Sequence, residues 1–485
     1  MRFDSLHFGL FFPLALLVVW LLRRRVGARN AFLLIASYYF YGCWDWRFLG
    51  LILFTTALDW GVGLLLDPGP RAPAWVARLG ARRRLVLTAS LAANLGVLGF
   101  FKYFDFFAAG AAALLSSLGL QASAPELGIV LPVGISFYTF QSMAYTLDVY
   151  RRRLPAERDP LRFALYVAFF PQLVAGPIER ATNLLPQIAS PRPMDLERLQ
   201  GGLGLIGLGL LKKVVLADNL ARPVEAVFSA AEPSGLAVLL GAYAFALQIY
   251  LDFSAYSDIA RGAARAMGFE LMQNFDRPYL ATSPREFWRR WHISLSSWLR
   301  DYLYIPLGGS RRGELRTRVN LMLTMLLGGL WHGAGLMFLV WGAWHGLLLW
   351  FERAAAPALA PLRELRAAWA RGLWRGVRVL TTFHLICLGW LMFRAQSPGA
   401  FGGLLLGLLD GPPMRTEELG AHGLSIFIAC SLAALGLEAL ASAARAPGWF
   451  WRWPGWARAA AYTGGTLVFA LFGEFAGAPF IYFQF

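Results

Sequence analysis

The 485-residue chain holds six histidines, His7, His292, His332, His345, His384 and His422. Imidazole is the side chain whose ordinary pKa suits proton transfer near neutrality, so these positions come first in a search for acid–base chemistry. His332 and His345 stand inside Leu321 to Phe351, a run of thirty-one residues with no other ionisable group. As one helix that run would measure about 46 Å against a hydrocarbon core of about 30 Å, so it must break, tilt or form two elements. Gly328, Gly329, Gly333 and Gly335 bracket Trp331 and His332 and predict the break there. A histidine at a helix break deep in a membrane faces protein or water, not lipid. It could act as a base, or bond a carbonyl that the break has freed. On a continuous helix His345 would lie about 220° around from His332 and share no face with it. A supporting role is expected for it; His384 reads as structural, and His7 and His422 as peripheral.

Buried acids and amides form a second set. Asp252 and Asp258 lie in the apolar stretch from Tyr250 to Asp258, Gln172 and Glu179 flank Pro171 and Pro177, and Gln141 and Asp148 follow an interrupted run. Such groups must be paired or hydrated within a bilayer, and Lys212, Lys213 and Arg261 could hold the acids as structural glue. In the polar stretch from Arg261 to Asn320, Phe287, Trp291, Leu295, Trp298, Leu299 and Tyr302 recur at steps of three and four. They predict one amphipathic helix with an apolar face about 120° wide, lying at or dipping into the membrane surface. Arg285, Arg289 and Arg300 project from its other side, and His292 sits on the seam. The pattern fits an anchor and a site wall equally.

Composition says what must position these groups. With 57% hydrophobic and 15% charged residues the chain would aggregate in water, so it is expected to be an all-α, polytopic integral membrane protein. Apolar runs near 30–42, 48–66, 85–101, 106–120, 127–145, 163–175, 201–216, 236–253, 321–351, 377–393, 424–440 and 459–472 predict ten to twelve membrane-embedded helices in a single domain spanning 1–485. Leu131-Pro132-Val133-Gly134 interrupts its run, and irregular backbone at membrane depth implies a cavity.

The formal charge of +16 comes from basic clusters between apolar runs, as the positive-inside bias predicts, and nucleic-acid binding is not expected. Arg23 to Arg29 and Arg82 to Arg84 fall on one side of the membrane. Arg151 to Arg153 falls on the other unless one run fails to cross. Phe8 to Leu22 reads as an uncleaved first span that starts outside the cytoplasm, since its arginines follow it.

Cys43, Cys387 and Cys430 show no metal-ligand or disulfide spacing, and no metal is expected. Gly202, Gly204 and Gly207 satisfy GxGxxG without a preceding strand and read as close helix packing. Gly308 to Gly313 lacks the ending of a Walker loop, and neither HExxH nor GxSxG occurs.

The stretches LPVGISFYTFQSMAYTLDVYR (131–151), PQLVAGPIER (171–180), YLDFSAYSDIARG (250–262), FWRRWHISLSSWLRDYLYIPLGGSRRG (287–313), GGLWHGA (328–334) and FIYFQF (480–485) together resemble the membrane-bound O-acyltransferase family, and within it the bacterial alginate O-acetyltransferase branch. The resemblance implies helices around a central tunnel or funnel, with His332 of the WHG motif as the catalytic residue. It also implies that His292 stands where many eukaryotic members carry Asn. The implied reaction is acyl transfer from a thioester, acetyl-coenzyme A, to a hydroxyl. In it His332 would take the hydroxyl proton and His292 would position the donor or polarise its carbonyl; a transient acyl-histidine is a variant. Arg289, Arg290, Arg311 and Arg312 are candidates for holding coenzyme phosphates from the cytoplasmic side, with ordinary basic loops as the alternative. Trp331, Gln172, Glu179, Asp252, Asp258 and His345 are expected to line the tunnel or support it.

The branch further implies the bacterial inner membrane, an exported polysaccharide, and a periplasmic acetyltransferase partner of SGNH type or similar. The alternatives are D-alanyl transfer to teichoic acid and, more remotely, a transporter or flippase.

Overall fold

Apolar segments separated by short polar turns fold as helices because a backbone in lipid must satisfy its own hydrogen bonds. The computed structural model describes residues 1–70, 73–120, 123, 127–190, 193–230, 233–360, 367–410, 416–443, 453–475, 477 and 480–481, which form helices and no strand. In chain order the helices are α1 (Leu6–Leu21), α2 (Val26–Asp45), α3 (Leu49–Leu66), α4 (Ala74–Ala81), α5 (Arg83–Ser117), α6 (Ile135–Tyr150) and α7 (Pro160–Ala168). Next come α8 (Phe170–Leu173), α9 (Ala181–Ala189), α10 (Leu196–Leu210), α11 (Asp218–Phe228), α12 (Gly235–Ala266), α13 (Pro284–Arg290) and α14 (Ile293–Leu299). The last are α15 (Glu314–His332), α16 (Leu336–Ala355), α17 (Ala368–Arg394), α18 (Pro398–Asp410), α19 (Thr416–Ala443) and α20 (Gly455–Phe472).

Five helical stretches, Val26–Leu66, Arg83–Ser117, Leu196–Phe228, Gly235–Ala266 and Ala368–Arg394, are long and apolar enough to cross a bilayer. Leu6–Leu21, Pro398–Leu409 and His422–Leu437 are shorter apolar helices. On α1, Leu6, Leu10, Leu14, Leu17 and Leu21 form an exposed stripe at helical spacing, the mark of a face turned to lipid. The chain is an all-α, polytopic membrane protein.

The described residues divide into two compact units. The first comprises residues 1–206, 259–273 and 297–306. Here the two apolar runs read at 85–101 and 106–120 are one helix, α5, because Lys102 and Asp105 add charge without the Gly or Pro that would break the backbone. That correction removes the topological conflict. If α2, α3, α5 and α6 each cross once, the positive-inside bias would put Arg23–Arg25, Arg82–Arg84 and Arg151–Arg153 on one side. Arg29 does not belong with them; it is fully buried and bonds Asn30 Oδ1 and the Ile188 carbonyl. The interrupted run begins α6 only at Ile135, after Gly134 at φ 77°, a left-handed turn that glycine adopts without strain. Of the three GxGxxG glycines only Gly202 lies at a close approach: a Cβ there would stand 2.6 Å from the Gly262 carbonyl oxygen.

The second unit comprises residues 207–258, 274–296 and 307–485. A π-helical stretch, Leu211–Ala217, leads into α11. Residues adjacent on a helix point about 100° apart, yet here Lys212 and Lys213 both reach acids on α12. Lys212 meets Asp258 at 2.8 Å, and Lys213 meets Asp252 at 2.9 Å and Asp218 at 2.8 Å. A π turn holds more residues than an α turn and so narrows the angle between neighbouring side chains, which favours this convergence.

The run 321–351 is two helices, α15 and α16, folded into an antiparallel hairpin over Gly333–Gly335. Small residues let the backbones touch: a Cβ at Gly329 would lie 2.2 Å from the Phe338 carbonyl oxygen, and one at Gly342 2.5 Å from that of Met325. Gly342→Ala is therefore expected to destabilise the protein by about 1–3 kcal/mol, since the helices must separate to admit a methyl group. A lowered Tm of the purified protein in detergent would register this, whereas an unchanged Tm would show the hairpin to be loosely packed.

Candidate active site

In the second unit the helix predicted through residues 287–302 is not continuous. It is broken at His292, which adopts φ 42° between α13 and α14. Left-handed backbone is uncommon outside glycine, although histidine enters it more readily than most residues. The apolar spacing runs through the break, so periodicity could not reveal it.

What holds the break is Asn274, itself almost fully buried. Its carbonyl accepts the Ile293 N–H at 2.9 Å, and its Oδ1 accepts the Ser294 hydroxyl at 2.6 Å and the Ser294 N–H at 3.3 Å. Its Nδ2 donates to Ser257 Oγ of α12 at 3.1 Å. The residues following His292 are thus pinned to α12, and the imidazole is turned inward rather than left on a seam. Sequence reasoning passed over Asn274 because a single amide in a polar stretch carries no distinguishing pattern.

His292 is fully buried against the edge of Phe253, with ring centroids 4.7 Å apart. It lies outside the long spanning helices, and burial pushes its imidazole down to about 3, which keeps the ring neutral at physiological pH. His332 is the last residue of α15. Its ring centroid is 6.5 Å from that of His292, 5.0 Å from Trp331, 5.1 Å from Trp341 and 5.6 Å from Phe393. The imidazoles are too far apart for a direct hydrogen bond and close enough to share one small reacting group between them. Aromatic walls keep bulk water out, which strengthens every polar interaction inside.

His345 also lies here, contrary to the continuous-helix geometry. The hairpin returns it to within one indole of His332: Trp341 contacts His332 at 5.1 Å and His345 at 4.7 Å between centroids. Asp252 and Asp258 are engaged by Lys213 and Lys212. Asp252 also accepts the Ile481 N–H at 2.7 Å and immediately precedes Phe253. Of the terminal FIYFQF stretch, 482–485 lie outside the described residues.

The four arginines separate. Arg290 is committed to Glu286 at 2.6 Å and to the carbonyls of Asp276 and Arg277. Arg289, Arg311 and Arg312 are exposed. Among the described residues no group of three or more His, Cys, Asp or Glu is arranged to hold a metal ion.

Gln172 and Glu179 belong to the first unit. Gln172 donates to the Tyr166 carbonyl at 2.8 Å, alongside Gln141 at 2.6 Å. Glu179, fully buried in the turn before α9, accepts from Asn183 Nδ2 at 2.7 Å and from the Met272 N–H. Burial outweighs these bonds and raises its carboxyl to about 7. With the folded pKa above the unfolded one, stability is highest at low pH and is lost as pH rises from about 4.5 through 7. The loss is about 3 kcal/mol for a shift of this size. Wild-type Tm, measured from pH 5 to 8, is accordingly expected to fall relative to Glu179→Gln; parallel curves would contradict this.

A membrane-embedded, all-helical chain that closes aromatic walls around paired imidazoles has the equipment of an acyltransferase acting within the bilayer. The sequence profile of the membrane-bound O-acyltransferase family matches residues 151–393, and the chain belongs to that family. It is 43% identical over 388 residues to a probable alginate O-acetylase of Pseudomonas putida, covering 80% of this chain and 76% of that protein. To a peptidoglycan O-acetyltransferase of Helicobacter pylori it is 35% identical over 395 residues, 75% of this chain and 71% of the relative. To a teichoic acid D-alanyltransferase of Bacillus subtilis it is 26% identical over 293 residues, 57% and 72% respectively. The chain is a multi-pass membrane acyltransferase.

Proposed function

We propose that this protein is an O-acetyltransferase of the bacterial inner membrane, its N-terminus periplasmic and residues 1–485 working as one membrane domain. It takes acetyl from a cytoplasmic thioester, acetyl-coenzyme A, and passes it through or within the bilayer toward an exported, alginate-like polysaccharide. The immediate acceptor is that glycan or a periplasmic acetyltransferase partner of SGNH type. The observation that carries this reading is the juxtaposition of His292 and His332, ring centroids 6.5 Å apart, in a chain of this family.

In the reaction an acceptor hydroxyl oxygen attacks the thioester carbonyl while His332 removes its proton. Neutral His292 donates an N–H to the carbonyl oxygen as negative charge develops there. The carbon–sulfur bond then breaks, and the proton held by His332 returns to the leaving thiolate. Exposed Arg289, Arg311 and Arg312 supply charge for coenzyme phosphates, while Arg290 braces the loop.

Membrane vesicles with the cytoplasmic face outward, supplied with radiolabelled acetyl-coenzyme A, are expected to yield base-labile label in glycan or partner. No acetyl transfer, with D-alanine passing from a carrier-protein thioester instead, would replace this reading by teichoic acid alanylation. Glycan flux without acetyl consumption would make the chain a transporter.

A further inference from the structure

Where α3, α5 and α6 pack in the first unit lies a carboxylate that this chemistry does not use. Asp59 on α3 is fully buried. Ser90 Oγ donates to its Oδ1 at 2.7 Å, Asn94 Nδ2 straddles Oδ1 and Oδ2 at 3.1 and 3.0 Å, and Ser142 Oγ donates to Oδ2. Asn94 Nδ2 can only donate and meets both carboxylate oxygens as acceptors, which suits an ionised carboxylate; the two serine hydroxyls can donate or accept. Among the described residues its hydrogen-bonding partners are neutral, and no lysine, arginine or histidine pairs with it.

An anion buried without a counter-charge is costly in any protein interior and more so within a bilayer. Helices α3 and α5 both lie in stretches apolar enough to cross one. Unused oxygen capacity adjoins the carboxylate. Asn94 Oδ1 is buried without a hydrogen-bond partner, as is Thr56 Oγ1, three residues before Asp59 on the same helix. The hydroxyls of Ser90 and Ser142 each retain acceptor capacity. A hard, all-oxygen set bearing one negative charge suits a small monovalent cation; divalent ions are held with more carboxylates or retained waters.

We infer that Asp59, Ser90, Asn94 and Ser142 form a sodium-ion site that ties α3, α5 and α6 together. In the ion-bound form the Asn94 amide presents its oxygen to the cation by exchanging its O and N positions, giving up its bonds to Asp59 and to the Ser90 carbonyl, whose oxygens the cation then engages. The ion neutralises Asp59 and converts a buried uncompensated charge into a three-helix clamp.

A ligand that binds only the folded state raises Tm with its concentration. The test is thermal unfolding of the purified full-length protein in detergent, in sodium, potassium or choline chloride at equal ionic strength and pH 7.5. For the wild type, saturating sodium is expected to raise Tm by about 3 °C or more over choline, with a smaller effect from potassium. Asp59→Asn, nearly isosteric, is expected to lose the sodium response while melting in choline at or above the wild-type temperature. Ser142→Ala is expected to move the half-maximal sodium concentration upward several-fold. A wild-type Tm identical in sodium and choline overturns the site. So does a sodium response that survives in Asp59→Asn. If stability in choline instead climbs more steeply in the wild type than in Asp59→Asn as pH falls, with no sodium effect, Asp59 holds a proton and the sodium site is likewise rejected.

Discussion

His332→Ala is expected to lower O-acetyl content on the exported glycan about 10² to 10⁴-fold, the range a positioned general base contributes. Membrane abundance should stay near wild type because alanine continues α15 without strain, with a modest loss of Tm from the space left between Trp341 and Phe393. The companion change is His292→Asn, chosen over alanine because asparagine tolerates the left-handed backbone at φ 42°. It keeps an N–H donor but shortens its reach, and transfer is expected to fall about 10²-fold, as when a carbonyl-polarising donor is withdrawn. Acetyl release from the two variants and wild type, measured at matched protein levels, decides the matter. Undiminished acetylation in His332→Ala would remove the catalytic assignment.

The second large effect concerns stability. Lys213 is buried with its Nζ at 2.8 Å from Asp218 and 2.9 Å from Asp252. Lys213→Met leaves two carboxylates without their shared cation and is expected to destabilise the protein by about 3–5 kcal/mol. Adding Asp218→Asn and Asp252→Asn should recover most of that loss, because the penalty lies in the stranded charges. Tm values of wild type, single and triple variants in detergent test both statements. A Tm unchanged by Lys213→Met would mean that water reaches these acids. Since Asp252 also holds the Ile481 N–H and adjoins Phe253, which packs on His292, the single variant should lose acetyl transfer along with stability.

Much was legible before any coordinates. Hydrophobic content alone required a membrane protein, since that property sums over residues regardless of their arrangement. The break beside His332 was equally local: an apolar run too long for a bilayer, with glycines at one point, has few other ways to fold. The counter-charges of Asp252 and Asp258 were readable as candidates because Lys212 and Lys213 stand in an apolar run where few other cations occur, although they lie about forty residues away in the chain.

Other features resisted. The apolar stretches 85–101 and 106–120 read as two runs, but charge at Lys102 and Asp105 does not interrupt a helix whose backbone remains bonded, and α5 runs through. His345 looked remote from His332 because a continuous helix was assumed, whereas a hairpin reverses direction.

Sequence by itself determined the class of protein, its helical content and the end of α15, all consequences of local composition and backbone preference. Family resemblance singled out the two histidines, but periodicity left His292 on the seam of an unbroken helix. Only the tertiary structure decided that the helix breaks at that residue, because the grip of Asn274 on α12 and Ser294 joins segments distant in sequence. Residues forty apart in the chain come within reach of one reacting group through long-range packing, and no local pattern encodes that distance.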